Sequence, residues 1–359
     1  MNDNMFSRHD QASDVLVAGG GEAGQVLQQR VLWLQNVFKA GEMPGISPEK
    51  LAGNLAYLVS ACLPLAGREA AKEQLLRCFR QLPAARQRAD RLGMPGALFP
   101  SWKDAESGSD SRHWDICGNA SVAQAVFDYV AYTADFTFLR REGLDLLVGI
   151  AQNAKAYLDN HGGDHNDLVA TAGWCGRLAS QAVGLAGAQR LSELGLIGGE
   201  LAVFRGTANR LHERRTYEKE ELPYAHLSLY QHDAPVFVRS IWASANGNYQ
   251  EAAVLFEQAL CQALVKEHGI QPDLIGIAGC WLALSQGFAG MRTAAKLSFA
   301  PFLPPGWAPY AFRFCYRDRI IHIGVGKRQV TLTLESGPSL GINLYQQPRF
   351  LETRLTILR

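Results

Sequence analysis

The stretch KLSFAPFLPPGWAPY, residues 296–310, divides the chain into two parts with different patterns of apolar residues. Its four prolines cannot continue a helix, because proline lacks the backbone N–H and its ring clashes with the preceding turn. After this stretch, residues 311–345 alternate with a period of two, so that Val330, Leu332 and Leu334 share one face and Thr331 and Thr333 the other. This alternation, interrupted by Gly and Pro, predicts a small antiparallel β domain over residues 298–359.

Before this stretch, from about residue 25 to 295, apolar residues recur at steps of three and four, the pattern of amphipathic helices. The first helical face consists of Val26, Leu27, Val31, Leu34, Val37 and Phe38. Similar faces recur in LAGNLAYLVSACLPLA (51–66), SVAQAVFDYVAY (121–132), GLDLLVGIAQNAKAYL (143–158) and YQEAAVLFEQALCQAL (249–264). Prolines and glycine clusters separate roughly ten or more such segments. We therefore predict a flexible N-terminal segment 1–24 and a helical domain 25–297.

The composition excludes several classes of partner. The chain has 359 residues, 47% of them hydrophobic, and 35 basic against 34 acidic residues give a formal net charge of +1. A chain without excess positive charge does not attract nucleic acid or an anionic membrane surface. No apolar run approaches the roughly 18 residues of a membrane span. We expect a cytoplasmic protein that binds a small polar molecule or another protein, with a homodimer left open. Its seven cysteines, which lack CxxC spacing, are expected to be reduced thiols.

A glycine motif near the N-terminus has the spacing of a dinucleotide-binding turn. Gly19, Gly21 and Gly24 form GxGxxG within VLVAGGGEAGQVLQQRVLWL, residues 15–34. The second strand that this fold needs, with an acidic residue at its end for the ribose, does not follow. We therefore interpret the glycines as a flexible entry to the first helix and expect no cofactor.

The join between the two patterns is similar to that of a known family. LALSQGFAGMRT (282–293), KLSFAPFLPPGW (296–307) and FRFCYRDRIIHIGV (312–325) resemble the join between the catalytic barrel and the terminal β-sandwich in glycoside hydrolase family 65, the family of maltose, trehalose and kojibiose phosphorylases. Three further stretches agree in order: LLRCFRQLPAARQRADRLGMPGALFPSWKD (75–104), YTADFTFLRREGLDLLVGIAQ (132–152) and QHDAPVFVRSIWASANGNYQEAAVLFEQAL (231–260).

The resemblance covers most of the chain, from about residue 25 to its end. It implies a mainly α fold, an (α/α)6 toroid whose inner helices and loops surround a central pocket, followed by a small C-terminal antiparallel β-sandwich domain. It also implies a sugar-like or other small polar ligand. We expect no counterpart of the family's large N-terminal β-sandwich.

Three segments depart from the family's pattern. A Gly-rich loop with a Trp-Asp pair, which grips the sugar in the family, looks deleted between residues 45–54 and 55–65. The family's Gly-Pro-Asp-Glu-Tyr-His segment, whose Glu is the general acid, corresponds here to GGDHND (162–167), so that glutamate is expected to be missing. In the family's phosphate-binding segment, Gln271 stands at the histidine position and Gly276 opposite the serine, which puts phosphate binding in doubt.

The stretch LDNHGGDHND, residues 158–167, holds the candidate catalytic groups. Cleavage of a glycosidic bond needs a proton for the leaving oxygen, and Asp164 or Asp167, with His165 between them, would supply acid/base chemistry. An aspartate is one methylene shorter than a glutamate, and a misplacement of about an ångström slows catalysis steeply. A polar pocket wall or a solvated turn are therefore the alternatives for this stretch.

Other polar and aromatic residues are candidate substrate-binding groups in the same pocket. Trp102 matches the tryptophan of the family's Phe-Pro-Trp motif after a one-residue insertion, and it either stacks on a sugar ring or fills the core. The remaining candidates follow the family's polar positions: Lys103, Asp104, His113, Asp115, His232, Asp233 and Gln271. A charged loop surface is the alternative for the first two of these, and a structural role for the His232–Asp233 pair.

A metal site is not expected. His161, Asp164 and His165 would share one face of a helix, as metal ligands require, but Gly162 and Gly163 disfavour a helix between them. The chain also lacks a serine nucleophile elbow and a recognisable catalytic cysteine signature.

Two classes of function follow from these patterns. In the first, the chain is an enzyme that kept the toroid but lost the parent chemistry. It would perform acid/base work, such as isomerisation, elimination, cyclisation or hydrolysis, on a small polar molecule, in a biosynthetic role. In the second, it is a non-catalytic relative that binds a carbohydrate or a partner protein. A true glycoside hydrolase or phosphorylase is the third hypothesis, because fold alone does not decide between activities.

Overall fold

The computed structural model describes residues 22–41, 43–101, 117–161, 224, 234–265, 273–293, 296–304 and 306–358. The helices in these ranges are α1 Glu22–Ala40, α2 Pro48–Ala66, α3 Arg68–Phe79, α4 Leu82–Arg91, α5 Cys117–Thr133, α6 Leu144–His161, α7 Val236–Ala245, α8 Tyr249–Val265 and α9 Leu274–Leu282. Short helical segments at Phe136–Phe138 and Leu139–Gly143 precede α6, and Ala283–Phe288 follows α9. The strands are β1 Ser298–Phe299, β2 Tyr310–Tyr316, β3 Arg319–Val325, β4 Gln329–Ser336, β5 Leu340–Leu344, β6 Gln347–Leu351 and β7 Arg354–Leu358. The predicted order, helices and then strands, is confirmed.

The chain divides into two compact units. The first contains α1, residues 61–70 and the described chain from Pro235 onward, and the second contains residues 44–60 and 71–234. Helix α2 contributes to both units. The domain limits predicted from the sequence, 1–24, 25–297 and 298–359, stay a prediction.

Helix α1 has the apolar face that the sequence predicted. Leu27, Val31, Leu34 and Phe38 are each at most 2% exposed, at steps that place them on one side of the helix. Gln35 is the polar residue on this buried side, and its Nε2 donates to the carbonyl oxygen of Leu65 at 2.7 Å. Residues 22–40 thus pack as a helix and contain no strand.

The strands of the first unit form two sheets. The larger sheet has the order β2-β3-β4-β7 and is antiparallel, and the smaller has the order β1-β5-β6 with β1 parallel to β5. Alternate residues of β2 are buried: Tyr310, Phe312, Phe314 and Tyr316. Phe299 of β1 lies against Phe314, with ring centroids 5.8 Å apart, so the apolar faces of the two sheets meet.

Two hairpins in these sheets turn through residues with positive φ. Arg317 and Asp318 join β2 to β3 with φ of 47° and 61°, and Tyr345 and Gln346 join β5 to β6 with φ of 52° and 63°. Two-residue hairpins favour this backbone conformation, which Asn-Gly adopts most easily. Neither turn contains a glycine, so both hold side chains in a conformation that L-residues rarely adopt.

Aromatic side chains join helices and strands within the first unit. Trp281 of α9 packs edge-on against Phe312, with ring centroids 5.2 Å apart. Trp307, in the proline-rich stretch 296–310, contacts Phe288 at 5.0 Å. The predicted packing of the β domain against helices is therefore confirmed for these elements.

We predict that the α7–α9 contact tolerates no added atom at Gly279. A Cβ there would lie 2.3 Å from Cδ1 of Phe237, a buried ring on α7. Gly279→Ala should therefore lower the free energy of unfolding by about 1–3 kcal/mol, the usual cost of overpacking, measured by urea denaturation. The control is Gly324→Ala in β3, where the nearest atom to the new Cβ is His322 Cε1 at 3.9 Å. An equal loss in both variants would contradict the packing argument.

Candidate functional site

The residues predicted to form the site lie outside the described ranges. This holds for the acid/base candidates and for the substrate-binding candidates alike: Asp164, His165, Asp167, Trp102, Lys103, Asp104, His113, Asp115, His232, Asp233 and Gln271. The structure therefore leaves their mutual geometry a prediction. It does describe the chain on either side of several of them, and the contacts that hold this flanking chain in place.

The chain that leads to Trp102 is held by the side chain of Asn119 in the first turns of α5. Asn119 Oδ1 accepts from the backbone N–H of Phe99 at 2.8 Å, and its Nδ2 donates to the carbonyl oxygen of Ala97 at 3.0 Å. Asn119 is fully buried, as are Phe99 and Ser101. Because buried amides are costly unless hydrogen-bonded, these contacts fix the chain just before residue 102.

A second asparagine and three glycines reinforce this anchor. Asn153 of α6 donates to the carbonyl oxygen of Pro95 at 3.3 Å and accepts from Asn119 Nδ2 at 3.3 Å. The close approach leaves no space for a side chain at Gly96 or Gly118, and a Cβ on Gly149 would lie in tight contact, 3.0 Å from Cβ of Ala97. A Cβ on Gly118 would lie 2.4 Å or less from the carbonyl oxygens of Phe99 and Pro100. The described chain just before residue 102 and just after residue 116 is therefore in close backbone contact.

One carboxyl group in the same unit has a strongly altered acidity. Asp128 of α5 accepts from Gln124 Nε2 at 2.6 Å and from Ser60 Oγ of α2 at 3.1 Å. Burial raises the pKa of Asp128 to about 7, and these two hydrogen bonds only partly oppose the shift. The residue as a whole keeps some solvent exposure. Asp128 can therefore exchange a proton near neutral pH. It lies about 16 Å along α5 from Cys117, the residue that follows the candidate segment 102–116, at 1.5 Å per residue.

A second carboxyl group nearby behaves in the opposite way. Asp135 caps the turn at Phe138 by accepting its N–H at 2.9 Å, and Lys72 Nζ and the Tyr129 hydroxyl lie within 3.0 Å of its Oδ2. Burial acts to raise the pKa of Asp135, but these three contacts together hold it below its ordinary value. Asp135 is therefore an ionised structural group that ties α3 to α5.

The start of α9 bears on the predicted loss of phosphate binding. Asp273 caps this helix, and its Oδ1 accepts from the backbone N–H of Gly276 at 3.1 Å. A Cβ on Gly276 would lie 2.7 Å from Oδ2 of Asp273 and 2.8 Å from Cβ of Ala263, so a serine does not fit there without movement. Helix N-termini attract anions through free N–H groups. Here the carboxylate of Asp273 already accepts one of these N–H groups, that of Gly276.

Sequence reasoning missed Asn153, Asp128 and Asp273 as notable residues. Asp128 was visible as a carboxylate four residues after Gln124 in the otherwise apolar stretch SVAQAVFDYVAY. Asp273 was visible as a capping residue directly before the apolar run LIGIAGCW. Asn153 gave no local signal, because its partners are 34 and 58 residues away in sequence.

The described residues include neither a metal-ligand cluster nor a membrane-spanning helix. Among the described residues, no three His, Cys, Asp or Glu side chains lie close enough together to hold a metal ion. None of the helices in those ranges is both long and apolar enough to span a bilayer. The described cysteines Cys62, Cys78, Cys261, Cys280 and Cys315 are free thiols, and three of them are buried.

Two family models match the chain. The central catalytic domain of glycosyl hydrolase family 65 matches residues 55–166, and the C-terminal domain of the same family matches residues 291–349. The chain is similar to glycoside hydrolase family 65 over both of these stretches.

The curated relatives are sugar phosphorylases. Maltose phosphorylase of Bacillus subtilis (strain 168) is 23% identical over 446 residues, which cover 95% of this chain and 59% of that protein. The α,α-trehalose phosphorylases of Geobacillus stearothermophilus and Thermoanaerobacter brockii are 33% and 34% identical over shorter stretches, 30% and 21% of this chain, and 15% and 10% of those proteins. The chain therefore spans well under two thirds of the length of these relatives.

Solved structures confirm the fold class. A "Putative kojibiose phosphorylase from human microbiome" superposes with a TM-score of 0.76 at 17% identity, over 97% of this chain and 61% of that one. The α-L-rhamnosidase of Streptomyces avermitilis, solved with L-rhamnose, gives a TM-score of 0.55 at 10% identity over 96% and 42%. The fold predicted from the sequence, a mainly α (α/α)6 toroid with a small C-terminal antiparallel β domain, is thus confirmed.

We predict that Asp128 makes the stability of the protein depend on pH. Burial raises its pKa from the ordinary 3.8 of an aspartate to about 7 in the folded state, so folding takes up a proton between about pH 4 and 7. The stabilising contribution of the protonated carboxyl is complete below pH 4 and is lost as the pH rises through 7. The melting temperature of the wild-type protein should therefore fall over this window relative to that of Asp128→Asn, measured by scanning calorimetry.

The control for this pH profile is Asp90→Asn on α4, where the carboxylate is exposed. Asparagine at 128 keeps an acceptor oxygen for Gln124 and places an N–H donor opposite the Ser60 hydroxyl, which can accept instead of donate, so it imitates the protonated acid without titrating. Identical pH profiles for the wild-type protein and Asp128→Asn would contradict the assigned acidity.

Proposed function

We propose that this chain is an enzyme that performs acid/base chemistry on a sugar-like molecule and no longer carries out phosphorolysis. The proposal rests on the similarity to a family 65 scaffold, together with the expectation that GGDHND (162–167) corresponds to the general-acid segment and lacks the family's glutamate. The central-domain match ends at residue 166, within this stretch. A carboxylate is still present there, because Asp164 and Asp167 flank His165.

Lost segments support the change of chemistry. The matched stretch of maltose phosphorylase runs over 446 residues, whereas this chain has 359, so parts of the phosphorylase have no counterpart here. This is consistent with the predicted deletion of the Gly-rich sugar-gripping loop. The capping of α9 by Asp273, with no space for a serine side chain at position 276, argues in the same direction for the phosphate segment.

In this proposal each predicted residue has a defined role. Asp164, or Asp167, donates and accepts the proton, and His165 adjusts its acidity through its own charge, since a protonated imidazole favours the ionised carboxylate. Trp102 stacks on the apolar face of a sugar ring. The pair His232–Asp233 orients a substrate hydroxyl, and the polar residues of segment 102–116 line the same pocket: Lys103, Asp104, His113 and Asp115.

The competing proposal is a non-catalytic relative that binds carbohydrate. The missing glutamate favours it, because an aspartate in an unadjusted loop reaches the glycosidic oxygen poorly. The two proposals differ in one measurable respect: both predict sugar binding, and only the first predicts a chemical change in the bound molecule.

We predict no phosphorolysis of the family's disaccharides. Incubation of the full chain with maltose, trehalose or kojibiose plus inorganic phosphate should release no sugar phosphate above background, because the glutamate and the phosphate contacts are absent from the matching positions. Maltose phosphorylase of Bacillus subtilis is the positive control. Phosphate-dependent turnover of any of the three disaccharides would show that the parent activity is kept and would contradict this part of the proposal.

We predict that Asp164→Asn removes the remaining chemistry without unfolding the protein. The substrate is first identified by proton NMR time courses over a panel of mono- and disaccharides. Turnover of that substrate should then fall by roughly 10²-fold or more, the usual contribution of a general acid or base, with an unchanged melting temperature. Asp90→Asn serves as the matched control. If the wild-type protein binds a sugar and changes none of the panel, the non-catalytic proposal is favoured instead.

A further inference from the structure

We infer that Asn119 is a positioning residue of the proposed site: its amide holds the point where the chain leaves for residue 102 and the point where it returns at residue 117. This inference rests on the proposed function, since the segment between these points carries Trp102 and four polar candidates. Asn119 hydrogen-bonds to two parts of the described chain, segment 95–101 and Asn153 of α6.

Three hydrogen bonds of Asn119 reach across the fold. Its Oδ1 accepts from Phe99 N–H at 2.8 Å, and its Nδ2 donates both to the Ala97 carbonyl oxygen at 3.0 Å and to Asn153 Oδ1 at 3.3 Å. The side chain thus uses its acceptor and both donors in a fully buried place. An apolar residue would fill the same space without the cost of desolvating an amide, so the polar choice here specifies geometry more than it adds stability.

The surrounding backbone is fixed from several directions. Ala97 N–H donates to the carbonyl oxygen of Gly149 at 2.8 Å, and Leu98 N–H donates to that of Ala85 at 3.0 Å. Gly96, with φ of 84°, lies so close to α6 that a Cβ would be 2.3 Å from the Gly149 oxygen. Segment 95–101 is therefore held from α4, α5 and α6 at once. Such support from outside the pocket is what keeps binding groups within the tolerance of about 0.5 Å that recognition and catalysis need.

Ser121 provides a matched control on the same helix. It is 2% exposed, and its Oγ accepts from the backbone N–H of Ala56 at 3.0 Å, which links α5 to α2 instead of to segment 95–101. Asn119→Ala and Ser121→Ala thus each remove a buried side-chain hydrogen-bonding group from α5. They differ in whether the lost contact reaches the chain that leads to residue 102.

The experiment measures sugar affinity and amide exchange in the full chain. Maltose, trehalose, kojibiose and glucose are titrated calorimetrically into the wild-type protein and both variants, and backbone hydrogen exchange is followed at Ala97 and Leu98. These two amides do not bond to Asn119 themselves, so their exchange reports movement of the segment. Asn119→Ala should weaken binding at least tenfold and speed both exchange rates at least tenfold, and Ser121→Ala should leave affinity and both rates within twofold of wild type.

The outcomes separate this inference from the proposed function. If the wild-type protein binds none of the four sugars, the proposed function fails, and exchange at Ala97 and Leu98 alone decides whether Asn119 anchors the segment. Equal affinities and exchange rates in the two variants overturn the inference. Should Asn119→Ala not fold, Asn153→Ala, which keeps the bond between Asn119 and Phe99, is the milder variant. Smaller changes in the same direction support the inference, and unchanged affinity and exchange overturn it.

Discussion

The burial of helix α2 on almost all sides is the constraint on which much of this structure depends. From residue 51 to 65 every residue except Asn54 is buried, and the helix contributes to both compact units. A helix in such a place must be apolar around its whole circumference, because each polar group that it buries needs a partner. The buried Ser60 hydroxyl meets this requirement by donating to Asp128. Burial raises the pKa of Asp128, and the hydrogen bond from Ser60 partly opposes that shift.

Other buried polar side chains of the second unit also have hydrogen-bond partners. Asn119, Ser121 and Asn153 each pair with backbone groups of a different part of the chain. Apolar packing tolerates small shifts between elements, whereas a hydrogen bond fixes distance and direction. Among the described residues, Asn119 and Asn153 make such contacts to the chain that directly precedes segment 102–116. They fix the backbone next to the segment on which the predicted function depends.

The fold was predictable from the sequence to a large extent, because its signals are local. The period of three and four at Leu27, Val31 and Leu34, and the period of two at Val330 and Leu332, correspond to the helix and strand that bury these residues. The anchor and the acidic residue were not predictable in this way. Asn119 and Asn153, or Ser60 and Asp128, meet across 34 and 68 residues, and nothing near each residue in sequence indicates its partner. Asp273 is the exception, because a cap before an apolar run is a local pattern.

The two glycine-free hairpins of the β domain have an evolutionary consequence. Arg317, Asp318, Tyr345 and Gln346 hold positive φ angles, and an L-residue in such a conformation costs on the order of 1 kcal/mol. Asn-Gly sequences at these turns would release that strain, and at Tyr345 the change would also remove the hydrogen bond that its hydroxyl donates to the Pro301 carbonyl oxygen. The chain therefore carries a reserve of unused stability in a part remote in sequence from its predicted site. A lineage that replaces catalytic loops, at the usual expense in folding free energy, can compensate through such turns and stay above the threshold for folding.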